Sequence, residues 1–158
     1  MSSTRYLQAE VDMRVRHPTV TLRVLQIGAR VMISAIFLLN GFGVIDQTGA
    51  AKELAGAGVP GWAVAPMVAA GRILQVAAGV ALATGFYPRI AAAALLAFLV
   101  PATLVAHSFW NAGGTPEFVP QLIQFVKNLA MWGGLLFVLA DAAQPALCAS
   151  ERGTPRRL

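Results

Sequence analysis

Four long apolar stretches joined by short connections constrain this chain more than any other feature of its sequence. They cover about residues 22–45, 63–84, 88–107 and 121–140. Each approaches the roughly 20 residues that an α-helix needs to cross the hydrocarbon core of a membrane. Only 12% of the residues are charged, against about 25% in an average soluble domain, so the chain lacks the polar surface that water requires. We therefore predict an all-α fold, a bundle of four transmembrane helices in a lipid bilayer.

The basic residues outside the apolar stretches predict the orientation of this bundle. Arginine and lysine stay mainly on the cytoplasmic side of a membrane. The side formed by both tails and the second connection holds Arg5, Arg14, Arg16, Arg23, Arg89, Arg152, Arg156 and Arg157. The opposite side holds only Lys52. We therefore expect cytoplasmic tails at 1–21 and 141–158, with the transmembrane domain at 22–140 between them.

Several local signals refine this outline. Thr48 to Ala55 is a candidate short helix in the first connection, with Thr48 as its N-cap. Gly85 is expected to end the second span and Pro88 to begin the third, which Pro101 should kink. The N-terminal tail is either disordered or a short amphipathic helix, whose apolar positions would be Leu7, Val11 and Val15. The last 18 residues are expected to be loosely ordered.

Composition also narrows the cofactors and partners. The formal charge is +5, but the basic residues sit mainly in the tails, so topology and anionic lipid explain them better than nucleic acid does. Cys148 is the single cysteine and there are two histidines. The predicted topology separates these residues, so we expect no haem, iron–sulfur cluster or zinc to be bound by this chain alone.

Polar residues within the spans are the natural candidates for a site, because such residues usually face the interior of a bundle or a cavity. They recur at helical spacing on the first, second and fourth spans, and each set shares one helix face. The three faces comprise Gln26, Arg30, Ile33, Phe37 and Gly41; Arg72, Gln75 and Gly79; and Gln121, Gln124 and Asn128. Three interpretations stay open: hydrogen bonds between helices, a bound headgroup, quinone or substrate, and side chains that reach the membrane surface, as Lys127 and Arg30 would.

Arg30 and Arg72 lie within spans, but the acidic residues all lie in connections, tails or the ends of spans. The two arginines therefore lack an obvious acidic partner. Arg30 and Arg72 are therefore expected to contact helix carbonyls, Gln75, a lipid phosphate or a neighbouring subunit. Gly133 and Gly134 are expected to let a neighbouring helix approach.

His107 and Lys127 are expected at similar depth near the outer surface. His107 either caps helix carbonyls or, with Lys127, contributes to a quinone site. The tentative ligand-binding residues are thus Arg30, Arg72, Gln75, His107, Lys127 and Asn128.

Several stretches of the sequence form a familiar set. They are ARVMISAIFLLNGFG in the first span, GAGVPGWAVAP and RILQVAAGVALATGFYPRIAA around the second, HSFW at the end of the third, and FVKNLAMWGGLL in the fourth. In these stretches the sequence resembles the DoxX family of small four-helix membrane proteins. The resemblance covers roughly residues 22–140. Two positions depart from the family pattern: Val44 stands where a lysine is frequent, and Gln75 where a glutamate is frequent.

The resemblance implies a four-helix fold, a bacterial cytoplasmic (inner) membrane location and a loose connection to redox chemistry, since some family members are subunits of a thiosulfate–quinone oxidoreductase. We expect an accessory or anchoring subunit of a larger membrane oxidoreductase complex, without catalytic activity of its own. The alternatives are a stand-alone binder or transporter of a small lipophilic molecule, such as a quinone or lipid, and an enzyme subunit with a quinone site near His107 and Lys127.

Overall fold

The computed structural model describes residues 20–45 and 48–152. This part of the chain contains five α-helices and a short 3₁₀ turn, and no strand. The helices are α1 (Val20–Gly41), α2 (Thr48–Gly56), α3 (Gly61–Thr84), α4 (Pro88–Ala106) and α5 (Phe118–Arg152), and the 3₁₀ turn is Phe109–Asn111. Within the described residues, four segments are long and apolar enough to cross a membrane: Val20–Gly41, Gly61–Thr84, Pro88–Asn111 and Phe118–Asp141. The predicted all-α bundle of four spans is confirmed, while the cytoplasmic placement of the tails stays a prediction.

The local signals are largely confirmed. α2 covers the predicted short helix, although Thr48 is its first residue rather than the expected N-cap. Gly85 ends α3 in the left-handed conformation, with φ +78°, and Pro88 is the first residue of α4. α4 continues through Pro101 to Ala106, and the kink stays a prediction. The predicted N-terminal amphipathic stripe lies outside the described residues.

The C-terminal segment differs from the prediction. The structure continues α5 to Arg152, so the residues from 141 to 152 are helical where loose order was expected. The segment DAAQPALCASER contains four alanines, and alanine has the highest intrinsic helix propensity. The span itself still ends at Asp141, close to the predicted 140.

The helices pack in the order α1, α3, α4, α5, with α2 against α3 and α4, and with a sparser contact between α1 and α5. The end of the bundle with the turn at 85–87 is called the turn end, and the opposite end, with connections 42–60 and 107–117, the loop end. The core consists of Phe37, Ala78, Leu82, Ala91, Ala92, Leu95, Leu99, Leu135 and Val138. Large apolar side chains such as Ile73 and Phe137 lie exposed on the outside, as expected of a surface that faces lipid.

Candidate functional site

The polar faces of α1 and α3 meet each other, as predicted. Gln75 is 3% exposed, and Phe37 on α1 is equally buried. Gly79 makes this seam tight, because a Cβ there would lie 2.9 Å from Leu38 Cδ2 and 3.8 Å from Phe37 Cβ. A face identified only by its helical spacing is therefore an interface between helices, which pack closely at Gly79.

Arg72 lies in the same seam and binds the end of α1. Its Nε donates a hydrogen bond to the carbonyl oxygen of Gly41 at 3.3 Å. The guanidinium rests against Gly43, which has φ +75° and leaves no room for a Cβ beside Arg72 Nη2. The final carbonyls of a helix lack intrahelical partners and carry partial negative charge. The prediction that helix carbonyls would be partners of Arg72 is therefore confirmed, whereas no hydrogen bond joins Gln75 to Arg72 or Arg30 within the described residues.

Arg72 also borders a crevice between α2 and α3, with a volume of about 480 Å³. The rest of its lining is small and apolar: Ala51, Gly61, Val64, Ala65, Val68 and Ala69. The crevice thus combines an apolar wall with one guanidinium, a pairing that suits an amphiphilic molecule.

Arg30 does not lie in the middle of the bundle but at its turn end. Its Nη1 is 3.2 Å from the position that a Cβ would take on Gly85. Its Nη2 is 3.9 Å from Oδ2 of Asp141, and Gln26 Nε2 donates to both oxygens of the same carboxylate at 3.2 Å. The expectation that Arg30 has no acidic partner is wrong, because α1 and α5 run antiparallel and bring the end of one span to the side of the other.

A second set of polar contacts joins α4 to α5. Asn128 Nδ2 donates to Thr103 Oγ1 at 2.9 Å, and His107 Nδ1 lies 3.1 Å from Gln121 Oε1. Thr103 is 1% exposed and its hydroxyl donates in turn to the carbonyl of Leu99 at 2.7 Å. Sequence reasoning missed Thr103, although it lies one helical turn before His107 and so shares its face. The imidazole of His107 contacts Gln121, while the backbone N–H of His107 bonds the carbonyl of Thr103 at 2.9 Å.

Lys127 lies apart from these contacts. It is exposed, and its Nζ donates to Gln124 Oε1 at 3.2 Å, one turn toward the loop end. α5 begins at Phe118, so Lys127 is six residues, or roughly 9 Å, further along the helix than Gln121, which pairs with His107. The expected similar depth of Lys127 and His107 is therefore wrong, because α4 lies beside α5 at a height that puts His107 next to Gln121. The direction of the ammonium group fits the interpretation that Lys127 reaches toward the membrane surface.

Aromatic side chains surround the α4–α5 contacts at the loop end. Phe109 packs edge-on against Trp110 at 5.2 Å, Phe118 at 6.1 Å and Phe125 at 5.2 Å, measured between ring centroids. Trp132 continues the cluster from Phe125 at 6.2 Å. The indole Nε1 of Trp132 is the one buried side-chain nitrogen or oxygen without a hydrogen-bond partner within the described part of the chain. Such a cluster suits the region where a span meets the membrane surface.

The six candidate residues therefore occupy separate places. Arg30 lies at the turn end, Arg72 and Gln75 lie between α1 and α3, His107 and Asn128 bind α5 and α4 partners, and Lys127 faces outward. Across residues 20–45 and 48–152 the structure contains no group of three or more histidine, cysteine, aspartate or glutamate residues that could hold a metal ion. Most of the predicted residues make polar contacts in the structure, but they do not come together in one site.

The chain is similar to proteins of a known membrane-protein family. The DoxX family model matches residues 25–108, more than half of the chain, and the match leaves out α5, whose FVKNLAMWGGLL motif also resembles the family. The inner membrane protein YphA of Escherichia coli (strain K12) is 26% identical over 116 residues, which cover 73% of this chain and 81% of that protein. No solved structure matches significantly. The family match is supported by the four apolar helices and by the glycine-lined seam between α1 and α3. The chain belongs to the DoxX family of integral membrane proteins.

Proposed function

We propose that the protein is an accessory or anchoring subunit of a larger membrane-bound oxidoreductase complex in a bacterial inner membrane. One observation carries this proposal: within the described residues, four contacts of polar side chains join one helix to another, and these contacts do not meet in a shared cavity. The pairs are Asn128 with Thr103, His107 with Gln121, Gln26 with Asp141, and Arg72 with the carbonyl of Gly41.

These polar groups are not arranged as they would be in a catalytic centre. A catalytic centre brings an acid, a base or a nucleophile together around a site where a substrate atom can sit. Here each polar group instead bridges two helices, which fixes the position of one helix against another. A rigid bundle with this use of polarity suits a scaffold that holds other subunits in the membrane.

The redox part of the proposal rests on the family resemblance, in which some members belong to an oxidoreductase. Val44 and Gln75 replace the lysine and glutamate that are frequent in the family. Two titratable groups suited to moving protons are thereby lost. This departure favours an accessory role over direct chemistry in the complex.

The test is the native mass of the tagged protein after extraction from its own membrane in a mild detergent, with its co-purifying subunits identified by mass spectrometry. We expect co-migration with redox proteins at fixed stoichiometry. An unrelated four-span protein with the same tag, expressed in the same strain, is the control for adventitious contacts. Migration alone or as a homo-oligomer contradicts the subunit role.

A second candidate function is binding or transport of a small lipophilic molecule such as a quinone or lipid. The crevice beside Arg72 favours it, because its wall is apolar and the guanidinium offers hydrogen bonds to a polar headgroup. Arg72→Gln separates the two functions, with the exposed Lys127→Gln as the matched charge-removing control. Loss of co-extracted quinone or lipid with intact assembly supports the binder, whereas loss of the complex supports the subunit.

A further inference from the structure

A groove lies on the outer face of α3 and ends at the turn end of the bundle. It has a volume of about 640 Å³ and is lined by Ala77, Val80, Ala81, Thr84, Gly85 and Phe86. From Ala77 to Phe86 it follows the helix for roughly 13 Å. Ala77 and Val80 are exposed, so in a bilayer the groove opens to the hydrocarbon.

The side chains that line the groove are apolar except for that of Thr84. The hydroxyl of Thr84 already donates to the carbonyl oxygens of Val80 at 2.8 Å and Ala81 at 3.3 Å. The hydroxyl of Thr84 therefore has no need of a polar group from a ligand. A groove of this kind within the hydrocarbon is filled by hydrocarbon, because van der Waals packing is the force that remains where no hydrophobic effect operates.

The end of the groove is cationic. Arg30 Nη1 lies 3.2 Å from the position of a Cβ on Gly85, which lines the groove. Arg89, in the first turn of α4, is exposed four residues further along the chain. The described carboxylate here is Asp141, which is 3.9 Å from the other terminal nitrogen of Arg30, Nη2, so it offsets part of the charge of Arg30.

From this juxtaposition we propose that the α3 groove and the arginines at the turn end form a binding site for an anionic phospholipid. One acyl chain lies along Ala77 and Val80, and the phosphate sits beside Gly85 within reach of Arg30 and Arg89. The direction is that of a lipid in a bilayer, with the chain toward the middle and the headgroup at the surface. Guanidinium groups bind phosphate through charge-assisted hydrogen bonds, and basic residues at a membrane surface favour anionic lipids.

Native mass spectrometry of the full-length protein in detergent tests the proposal, with phosphatidylglycerol and phosphatidylcholine of identical acyl chains as probes. We expect preferential retention of phosphatidylglycerol. Arg89→Gln should lower its apparent affinity about fivefold, and Ala77→Phe, which fills the groove, about tenfold. Ala70→Phe is the matched control, since Ala70 is also exposed on α3 but does not line the groove, and it should leave the affinity unchanged.

Each possible result either supports or overturns the proposed phospholipid site. Equal retention of the two lipids overturns the anionic preference. An effect of Arg89→Gln without an effect of Ala77→Phe means that headgroups bind a charged patch and that the groove is not part of the site. Displacement of the lipid by millimolar inorganic phosphate shows that a free oxyanion is the ligand. A stable protein partner that covers α3 and replaces the lipid in the native complex overturns the proposal as well.

Discussion

The two principal seams of the bundle are built differently. Between α1 and α3, glycine lies against aliphatic side chains: a Cβ on Gly79 would be 2.9 Å from Leu38, and one on Gly41 would be 2.6 Å from Val76 Cγ2. Between α4 and α5, side chains hydrogen-bond across the seam, Thr103 with Asn128 and His107 with Gln121. The α1–α3 seam relies mainly on close approach, with the bond from Arg72 to Gly41 at its end, and the α4–α5 seam relies on polar pairs.

The difference shows two solutions to the same physical problem. Lipid tails are as apolar as leucine, so burial of apolar side chains does not by itself drive helices together in a membrane. Close packing of small residues and hydrogen bonds between helices remain. Close packing of small residues is disrupted when an atom is added. A hydrogen bond between helices is lost when one of its two partners is removed.

The largest expected effect comes from adding volume to the α1–α3 seam. Gly79→Leu places a side chain where a Cβ alone already approaches Leu38 and Phe37, and such overpacking costs about 3 kcal/mol. We expect a corresponding fall in the free energy of unfolding, measured by denaturant titration in mixed micelles. Gly133→Leu is the control, because a Cβ on Gly133 meets nothing within 4 Å. Equal losses in the two variants would show that the seam is not tightly packed.

The spans and the inward faces of α1 and α3 could be predicted from the sequence. Length and hydropathy predicted all four spans, because a membrane imposes both. Helical spacing predicted which faces of α1 and α3 turn inward, since period 3.6 fixes a face without any knowledge of the neighbour. It also predicted that Gly133 and Gly134 of α5 let a neighbouring helix approach. This is confirmed for Gly134, which faces Ile33, and wrong for Gly133, where a Cβ would meet nothing within 4 Å.

The offset of one helix along another was not accessible in the same way. Spacing along one helix says nothing of the height at which a second helix lies beside it, and that height brings Asp141 to Gln26 and Arg30. The same gap explains Lys127, whose depth relative to His107 depends on the height at which α4 lies beside α5. Thr103 was missed for a different reason, because a threonine in an apolar run carries no strong signal until its partner, Asn128, is known.

An intermediate effect is expected at the α4–α5 seam. A double-mutant cycle with Thr103→Val and Asn128→Leu measures the contribution of their hydrogen bond. We expect a coupling free energy of about 0.6 kcal/mol and at most about 1.7 kcal/mol, the range found for such bonds in membranes. The cycle is needed because each single substitution also changes packing. A coupling near zero would mean that the polar contact does not hold this seam and that the aromatic cluster does.

The smallest effect is expected where α1 meets α5, the sparser seam. Arg30 and Asp141 are 21% and 30% exposed at their side chains, and their nearest charged atoms are 3.9 Å apart. The pair is thus partly exposed, and partly exposed ion pairs contribute about 0.5 kcal/mol. A cycle with Arg30→Gln and Asp141→Asn, measured at low and high salt, should give a coupling of that size which falls as salt rises.

The control for this last prediction is Lys127→Gln, since Lys127 is an exposed cation on the same helix as Asp141 and contacts Gln124 rather than an acid. Its loss should leave stability unchanged at both salt concentrations. A coupling above about 2 kcal/mol between Arg30 and Asp141, insensitive to salt, would contradict the partly exposed geometry. It would mean that the turn end is sealed from water, and that a polar pair holds the third seam as firmly as glycine packing holds the first.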